Sequence, residues 1–505
     1  MIAAALDALL VDVGGTLVEE AAPGTAVSDL LVVPLPRTRS DLQLIAAEIP
    51  VIAVTNTSVM LEADVLGLLG RAGLAEYLAG AVTSAEVGVA KPDPAPLRVA
   101  LARLGLTRGD LSRVLFIGDL PTDEEAALAA GVGYAEIQPG GLRETVLGWV
   151  SQRAGQRFES SARRVAPPDK AAAAAAAALH ASLTKPPGAL GALEDLGVRL
   201  AGMYGQCPPP LPRPAALAIF AGDHGVVAEG VTAWPSEVTG QMLANFCLGG
   251  AAANVLARQH DVRLTVVDVG VNGARPDSGV TYRRVARGTA NLAIGPAMTG
   301  PEVRCALDVG VEIADRLVAS GAACLLAGEM GIGNTTPAAA LLAVLTGASP
   351  EAATGRGAGL DTAGLDVKRG VVASAVERAR DLDAMSLLAE VGGLELAALA
   401  GFIVGAAAAR VPVILDGVIT VAAGAVAQRL SPGTAPWCIA GHKSPEPGAR
   451  LGLDLLGLRP MLELGLRLGE GTGALAAFPL VETASRVLRE MATFDSAGIS
   501  SDRRS

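Results

Sequence analysis

Short apolar runs that end in glycine and an acidic residue recur along this chain, and they constrain its fold more than any other feature. Residues 114–119, 216–223 and 323–329 show this pattern. Longer Ala- and Leu-rich stretches with the length of helices lie between such runs. Strands that alternate with helices favour a mainly parallel sheet, in which the polar strand ends share one edge. We therefore predict an α/β protein with parallel sheets flanked by helices.

Length and composition restrict the class of protein. A chain of 505 residues suggests more than one domain, and 51% hydrophobic residues are ample for buried cores. The net charge of −11 argues against a nucleic-acid or anionic membrane surface, and 3% aromatic residues argue against stacking platforms for bases. We expect no nucleic-acid partner.

Cysteine usage and hydropathy indicate a cytoplasmic protein without a membrane span. The five cysteines show no CxxC or Cys/His spacing, which fits reduced thiols better than disulfides or a zinc site. The N-terminus lacks a basic region followed by a cleavage signal. The most apolar run, residues 396–409, is shorter than the roughly 20 residues that a span needs, so we predict a buried helix there.

A polar, arginine-rich stretch divides the chain. Residues 151–168 end in two prolines, which interrupt helices and leave extended chain. We therefore predict a first domain at 1–150, a linker at 151–168, a second domain at 169–497 and a polar tail at 498–505.

Five polar residues of the first domain lie at or near predicted strand ends or in the loops between them. They are Asp12, Thr55, Lys91, Asp119 and Asp123. Parallel strands gather such residues at one edge of the sheet. A carboxylate that attacks a phosphate needs cations to offset the clustered negative charge, so a lysine and a metal ion among these acids suit phosphoryl chemistry.

This ordered set resembles the haloacid dehalogenase-like hydrolase superfamily over about residues 1–145. The resemblance implies that Asp12 is the nucleophile and that Thr55 and Lys91 hold the phosphoryl group. It places this domain among the parallel α/β folds.

The same resemblance implies a Mg²⁺ site formed by Asp12, Asp119 and Asp123. The family's second acid, which protonates the leaving group, is replaced by Gly14. Loss of a general acid commonly lowers the rate about 10²- to 10⁴-fold. Two alternatives stay open: a retained fold without turnover, or a phosphatase that acts on the product of the second domain.

Two glycine-rich loops of the second domain each display one acid. Glu470 lies among glycines in residues 469–473, and Glu329 opens the turn 328–336 after a buried strand. Glycines let the backbone turn sharply and approach a ligand closely. The turn 328–336 precedes a predicted helix, so its amides lie at a helix N-terminus, where a phosphate is favoured.

Two other stretches of this domain have more than one interpretation. Trp234 and Gln241 offer a flat apolar surface and an amide, which suit a planar heteroaromatic ligand, but a core tryptophan is the alternative. The Asp223-His224 pair at a strand end is a general base, half a metal site or, as we prefer, an aspartate that ties down a loop.

Taken together, these motifs resemble the nicotinate-nucleotide:dimethylbenzimidazole phosphoribosyltransferase family over about residues 183–494. The resemblance implies that a benzimidazole nitrogen attacks the ribose of nicotinate mononucleotide, giving nicotinate and α-ribazole 5′-phosphate for the cobalamin nucleotide loop. It also implies a homodimer. We expect no cofactor for this transfer, because the positively charged nicotinate is already a good leaving group.

The resemblance further implies a role for each residue. Glu470 is the expected general base, since a carboxylate shielded from water has the raised pKa that this proton transfer needs. Glu329 supports the site by electrostatics, and Trp234 and Gln241 line the base pocket. The phosphate is held by a larger set: Gly331, Gly333, Asn334, Thr335, Thr336, Gly357 and Lys368.

Two alternatives stay open for the whole chain. In the first alternative, the transferase uses another acceptor, such as adenine or a phenol. This alternative rests on Trp234, because the family usually has tyrosine or phenylalanine at that position. Alternatively, both halves keep their folds without turnover, as a nucleotide-binding or regulatory protein. Intact Glu329 and Glu470 argue against this second alternative for the C-terminal half.

Overall fold

The computed structural model describes residues 1–20, 25, 30–107, 111–273 and 278–500, so most of the predicted tail lies outside the described residues. The chain forms two compact units, Met1–Ala154 and Gly155–Ser505. Both contain a parallel sheet flanked by helices, which confirms the predicted fold class. Among the described residues, no helix combines the length and the apolar character needed to cross a membrane.

Among its described residues, the first unit contains five parallel strands. They are β1 Ala8–Val11, β2 Val51–Thr55, β3 Gly80–Thr83, β4 Val114–Gly118 and β5 Gly133–Glu136. The described helices are α1 Ile2–Ala5, α2 Thr38–Ala46, α3 Glu62–Arg71, α4 Ser84–Val87, α5 Ala95–Arg103, α6 Pro121–Ala130 and α7 Leu142–Arg153. The strand order is β3-β2-β1-β4-β5. β1 and β4 are buried at every position, as expected for strands covered on both faces.

The order of these strands locates the first candidate site. From β1 the chain builds one side of the sheet and then returns to place β4 on the other side of β1. Such a reversal opens a crevice at the carboxyl ends of the two strands. Asp12 directly follows β1 and Asp119 directly follows β4, so the crevice carries both acids.

In the described part of the second unit there are six parallel strands. They are β6 Ala215–Gly222, β7 Val262–Gly270, β8 Val280–Tyr282, β9 Cys324–Met330, β10 Val413–Leu415 and β11 Cys438–Ala440. Their order is β11-β10-β9-β6-β7-β8, so the reversal lies between β6 and β9. Glu329 stands near the carboxyl end of β9, beside this second crevice.

Helices cover this larger sheet. They are α8 Gln156–Ala162, α9 Lys170–Ser182, α10 Ala192–Tyr204, α11 Glu237–Leu248, α12 Ala252–Gln259, α13 Gly300–Ala319, α14 Thr335–Thr346, α15 Pro350–Ala353, α16 Thr362–Ala379, α17 Ala384–Val391, α18 Leu394–Ala408, α19 Val418–Leu430, α20 Pro447–Leu456, α21 Thr472–Glu490 and α22 Phe494–Ala497. Buried α18 agrees with the prediction for residues 396–409. A Cβ atom at Gly401 would lie 2.0 Å from the Leu307 carbonyl oxygen, so only glycine allows α18 to approach α13 this closely.

The stretch predicted as an extended linker is largely helical. Helix α7 continues to Arg153, and α8 begins at Gln156. The backbone N–H groups of Gly155 and Phe158 both donate to the Asp308 carboxylate at 2.7 Å. Phe158 is buried. A single acid 150 residues downstream along the sequence thus anchors the start of α8, and this long-range contact has no counterpart in the local polar pattern.

Candidate active sites

The crevice of the first unit holds a buried lysine between two acids. Lys91 Nζ lies 2.5 Å from Asp12 Oδ1 and 2.7 Å from Asp123 Oδ1. It also donates to the Val54 carbonyl oxygen at 3.1 Å. Burial raises the pKa of Asp12 to about 6, and the nearby Lys91 charge opposes that rise. The structure therefore brings together the predicted nucleophile and the predicted phosphate ligand.

Three carboxylates in this crevice fit a hard divalent cation. Ligand oxygens of Asp12, Asp119 and Asp123 all lie within 4.8 Å of one another. Thr16 Oγ1 donates to Asp119 Oδ1 at 3.4 Å and orients that side chain. Mg²⁺ prefers such oxygen ligands, and a dication would offset the repulsion that like charges create here. The donor set is therefore suited to Mg²⁺.

Gly14, which stands where the family has its second acid, has free space beside it. A Cβ atom built on Gly14 meets no atom of the described residues within 4 Å. Thr55 lines the same cavity as Asp12, Gly14 and Lys91. Among the described residues, the backbone at Gly14 therefore leaves room for a Cβ atom.

In the second unit, Glu329 is buried near the carboxyl end of β9. Asn334 Nδ2 donates a short hydrogen bond to Glu329 Oε2. Burial raises the pKa of Glu329 to about 8, and the negative charge of Asp416 adds to this rise. A Cβ atom at Gly469 would lie 2.3 Å from Glu329 Oε1, and the φ of Gly469, 89°, favours glycine where the second loop passes this carboxylate. The two glycine-rich loops therefore meet at Glu329.

Glu470 adopts a backbone conformation that is unusual for a residue with a side chain. Its φ is 62°, between Gly469 at 89° and Gly471 at 80°. Such strain costs about 1–3 kcal/mol and is concentrated at functional sites. Glu470 is 5% exposed, and its Oε2 has no hydrogen-bond partner among the described residues. Burial raises its pKa, while the Ala253 N–H at the start of α12 opposes the rise.

Asp416 holds the Glu470 loop in place. Its Oδ2 accepts the Gly471 N–H at 3.0 Å, and its Oδ1 accepts the Gly473 N–H at 2.6 Å. His442 Nε2 lies 3.5 Å from the same Oδ1. Asp416 directly follows β10, so a strand end fixes the geometry of a loop 55 residues away in the sequence.

A buried cation lies beside the start of α14. Lys368 has no exposed surface, and its Nζ donates to Thr335 Oγ1 at 2.7 Å. Burial lowers the pKa of Lys368 to about 8, against the opposing charge of Glu446. Glu446 Oε1 accepts the Gly357 N–H at 2.8 Å. A lysine, a hydroxyl and a backbone amide thus converge here, which is the donor set that a phosphate needs.

The predicted phosphate ligands are divided by the structure. Gly331, Gly333, Asn334, Thr335 and Gly357 line one cavity of about 130 Å³ together with Glu329. Thr336 is completely buried in the first turn of α14 and is absent from the described lining. The described lining likewise excludes Lys368, which reaches the cavity through Thr335.

Trp234 and Gln241 are not part of this cavity lining. Trp234 is 51% exposed, and its Nε1 donates to the Ala358 carbonyl oxygen at 3.1 Å, beside the Gly357 turn. Gln241 is exposed on α11. Trp234 therefore borders the cavity from outside, whereas the structure gives Gln241 no contact with it.

Asp223 and His224 have separate partners. Asp223 Oδ2 accepts the Asn272 N–H at 2.7 Å and so ties that loop to the end of β6. His224 Nε2 lies 2.9 Å from Glu395 Oε1, and both side chains are completely buried. Burial alone lowers the pKa of His224, but the Glu395 carboxylate outweighs it and the pKa is raised. This ion pair lies under the glycine loop, since a Cβ atom at Gly331 would be 3.3 Å from His224 Nε2.

Three residues of the second site were not assigned a role from the sequence. They are Asp416, Glu446 and Glu395. Asp416 carried a usable signal, because it follows an apolar run as Asp12 and Asp223 do. Glu446 and Glu395 carried none, because their partners are distant in sequence.

Comparisons with known proteins agree with this division into two units. A family model described as phosphoribosyltransferase matches residues 165–499, and one described as haloacid dehalogenase-like hydrolase matches residues 26–131. The nicotinate-nucleotide–dimethylbenzimidazole phosphoribosyltransferase of Salinispora tropica is 53% identical over 361 residues, covering 68% of this chain and 99% of that protein. The protein of the same name from Thermus thermophilus is 52% identical over 63% of this chain and 95% of its own length.

A solved structure supports the same relationship. The crystal structure of CobT from Thermus thermophilus has a TM-score of 0.64 and 50% identity, covering 66% of this chain and 100% of that chain. The first family model alone spans more than half of the chain. The chain therefore belongs to the phosphoribosyltransferase family of these relatives, and it carries an additional N-terminal haloacid dehalogenase-like domain.

Proposed function

We propose that the C-terminal unit transfers the phosphoribosyl group of nicotinate mononucleotide to 5,6-dimethylbenzimidazole, giving α-ribazole 5′-phosphate and nicotinate. The names of the relatives support these substrates. The observation that carries the proposal is the pair of buried carboxylates, Glu329 and Glu470, with raised pKa values. Glu329 lines the same cavity as Thr335, the partner of Lys368, whereas Glu470 follows Gly469 of that lining and is itself absent from the described lining.

Glu470 has the environment of a general base for this reaction. One ring nitrogen of the neutral base attacks C1′ of the ribose, and the bond from C1′ to nicotinate breaks with its electrons neutralising the pyridinium nitrogen. The other ring nitrogen then gives its proton to Glu470. A carboxylate with a raised pKa accepts this proton more readily than an exposed one.

Glu329 acts as a neutral hydrogen-bonding group. With a pKa of about 8 it is mostly protonated at pH 7, so it adds no negative charge beside the anionic donor. Asn334 fixes one oxygen of Glu329 and leaves the other for the ribose. Glu329 thereby orients the sugar rather than taking the proton.

The phosphate of the donor binds at the start of α14. The positive end of that helix, the Gly357 N–H and Lys368 supply a favourable field. Lys368 remains mostly protonated at pH 7 with a pKa of about 8, and an arriving phosphate strengthens that state. In the structure, the Glu446 carboxylate accepts the Gly357 N–H. A bound phosphate would take the place of Glu446 as the acceptor of that hydrogen bond.

Nicotinate release tests this proposal. The full chain is incubated with nicotinate mononucleotide and dimethylbenzimidazole, and nicotinate is measured by chromatography. Glu470→Gln is expected to lower kcat by about 10²- to 10⁴-fold with little change in KM. Glu463→Gln is the matched control, because its side chain is 71% exposed. Parental turnover in the Glu470 variant would remove that residue from the role of base.

The same assay decides between the alternatives. Faster release with adenine or a phenol than with dimethylbenzimidazole would change the acceptor and keep the transferase. No release with any base would favour a nucleotide-binding or regulatory protein. Light scattering on the same sample tests the homodimer that the family resemblance implies.

For the N-terminal unit we propose a Mg²⁺-dependent phosphatase that acts on α-ribazole 5′-phosphate. Asp12, Asp119 and Asp123 would hold the ion, which offsets negative charge on the phosphoryl group when bound. The Asp12 carboxylate forms a bond to phosphorus as the bond from phosphorus to the 5′-oxygen breaks, while Lys91 and Thr55 hold phosphoryl oxygens. Because Gly14 supplies no acid, the departing alkoxide takes its proton from water, and a second water then hydrolyses the phosphorylated Asp12 to release phosphate. The convergence of Lys91 with the three acids is the observation that favours this activity.

Phosphate release in the presence of Mg²⁺ tests the second activity. It should disappear in Asp12→Asn and persist in Glu125→Gln, which changes an exposed acid on α6. Absence of release from the parent chain would show that the unit keeps its fold without turnover.

A further inference from the structure

The cavity above Asp12 in the N-terminal unit is walled mainly by apolar side chains. Its volume is about 350 Å³, within the range of small-ligand sites. Asp12, Thr55 and Lys91 form its polar floor. The wall contains Leu30, Leu31, Met60, Leu68, Leu69 and Leu120.

Part of this wall is exposed although it consists of large apolar side chains. Leu31 is 85% exposed and Leu120 is 46% exposed. Exposed apolar groups that continue a concave site are suited to apolar parts of a ligand. A ligand that places its phosphate on the floor therefore meets a water-repelling surface with the rest of its structure.

The charges of this cavity oppose a second anionic group on the ligand. Glu19 and Glu20 belong to its lining. Lys91 is the one cation among the described residues of the lining, and it is already paired with Asp12 and Asp123. A carboxylate on the ligand would lose its hydration here without gaining a partner.

We propose that this cavity selects phosphate monoesters whose alcohol carries an uncharged, apolar aromatic ring and rejects those with a second anionic group. The proposal rests on the phosphatase function proposed above and names what the site selects for. α-Ribazole 5′-phosphate carries a neutral benzimidazole, whereas nicotinate mononucleotide carries a pyridinium cation and a carboxylate, and both of these charged groups would lose hydration against the apolar wall. The cavity thus spares the donor of the transferase while it accepts the product.

Leu31 permits a clean test of this selection. Because its side chain is 85% exposed, a substitution there leaves the core intact. Leu31→Lys replaces an apolar wall group by a cation that attracts a carboxylate. Leu128→Lys is the matched control, since Leu128 is 68% exposed on α6 and is absent from the described lining.

Release of inorganic phosphate by the full chain with Mg²⁺ is measured for p-nitrophenyl phosphate, α-ribazole 5′-phosphate and nicotinate mononucleotide. The parent should prefer α-ribazole 5′-phosphate over nicotinate mononucleotide by at least about 100-fold in kcat/KM. Leu31→Lys should reduce that ratio at least about tenfold, and Leu128→Lys should leave it unchanged. For scale, a 100-fold preference is about 2.7 kcal/mol.

The outcomes separate the two proposals. Hydrolysis of p-nitrophenyl phosphate that depends on Asp12, with equal kcat/KM for the two nucleotides, overturns the selection and keeps the phosphatase. A ratio that Leu31→Lys and Leu128→Lys change equally also overturns the selection. If the parent releases no phosphate, the phosphatase proposal fails. The selection is then decided by the ratio of the two kcat/KM values in a chain that carries Gly14→Asp. Equal values for the two nucleotides, or no turnover of either, overturn the proposed selection.

Discussion

Replacement of Asp416 tests how the second site holds Glu470, the proposed general base. The two carboxylate oxygens of Asp416 accept the N–H groups of Gly471 and Gly473, at 3.0 and 2.6 Å, on either side of Thr472. Asp416 is 1% exposed, so no water replaces a lost acceptor. Asp416→Asn keeps the shape of the side chain but turns an NH₂ group toward one of these two donors.

The size of the effect follows from those hydrogen bonds. A bond to a charged group contributes about 1.5–3 kcal/mol, and a buried donor left unpaired costs about 1–3 kcal/mol. We expect the ordered loop to lose about 3 kcal/mol, which corresponds to about a 10²-fold loss of its population. Because Glu470 is carried by this loop, kcat should fall by about the same factor while KM for nicotinate mononucleotide changes little.

The pH profile distinguishes this role from simple loss of stability. The negative charge of Asp416 adds to burial in raising the pKa of both Glu329 and Glu470. Removing the charge therefore lowers both pKa values. Glu470 must be ionised to accept a proton, so kcat increases as the pH rises through its pKa. In Asp416→Asn this rising limb should move to lower pH.

The assay measures kcat for nicotinate release from pH 5 to 9, with circular dichroism to confirm folding. Asp454→Asn on α20 is the control, because Asp454 is exposed. A folded Asp416→Asn variant with parental kcat and an unshifted limb would refute the reasoning. A loss of kcat without a shift of the rising limb of the pH profile would mean that Asp416 holds the loop but does not raise the pKa of Glu470.

Three further predictions concern buried or vacant positions. Gly14→Asp fills open space, and phosphate release should increase about 10²-fold; an unchanged rate would contradict the loss of an acid there. Lys368→Met removes an ammonium group whose pKa in the folded protein, about 8, lies below the ordinary lysine value. The charged ammonium therefore destabilises the folded protein, fully below pH 8. This destabilisation disappears progressively as the pH rises above 8 and the lysine of the folded protein loses its proton. At pH 7 the variant should gain up to about 3 kcal/mol in calorimetry, and KM for nicotinate mononucleotide should rise. Asp308→Ala leaves the Gly155 and Phe158 N–H groups without their acceptor, and thermal melts should show a loss of about 2–4 kcal/mol; an unchanged melt would mean that α8 is held by packing alone.

Local sequence patterns sufficed for the fold class. Continuous apolar runs near residues 114–117, 216–220 and 323–327 correspond to β4, β6 and β9, because strands covered on both faces are apolar throughout. The acids at the ends of these runs lie at or near the carboxyl ends of the three strands. Helices with an alanine-rich sequence, such as α9, were predicted from helix propensity.

Long-range contacts explain the main difference in the fold. The polar stretch 151–168 was predicted as a linker, but α8 occupies Gln156–Ala162. The stretch has no apolar periodicity apart from Phe158, which is buried. The start of this helix is hydrogen-bonded to Asp308, a residue of α13 that no local pattern connects with it.

The sequence by itself singled out the candidate catalytic residues: Glu329 and Glu470 stand out because glycines surround them. The tertiary structure alone decided how those residues are held. It gave Glu470 a positive φ and Asp416 the role of its clamp, and it left Gln241 exposed away from the cavity. The physical reason is the distance along the sequence over which each property is set. Helices and strands depend on neighbours along the chain, whereas burial, pKa and hydrogen-bond partners depend on residues that only folding brings together.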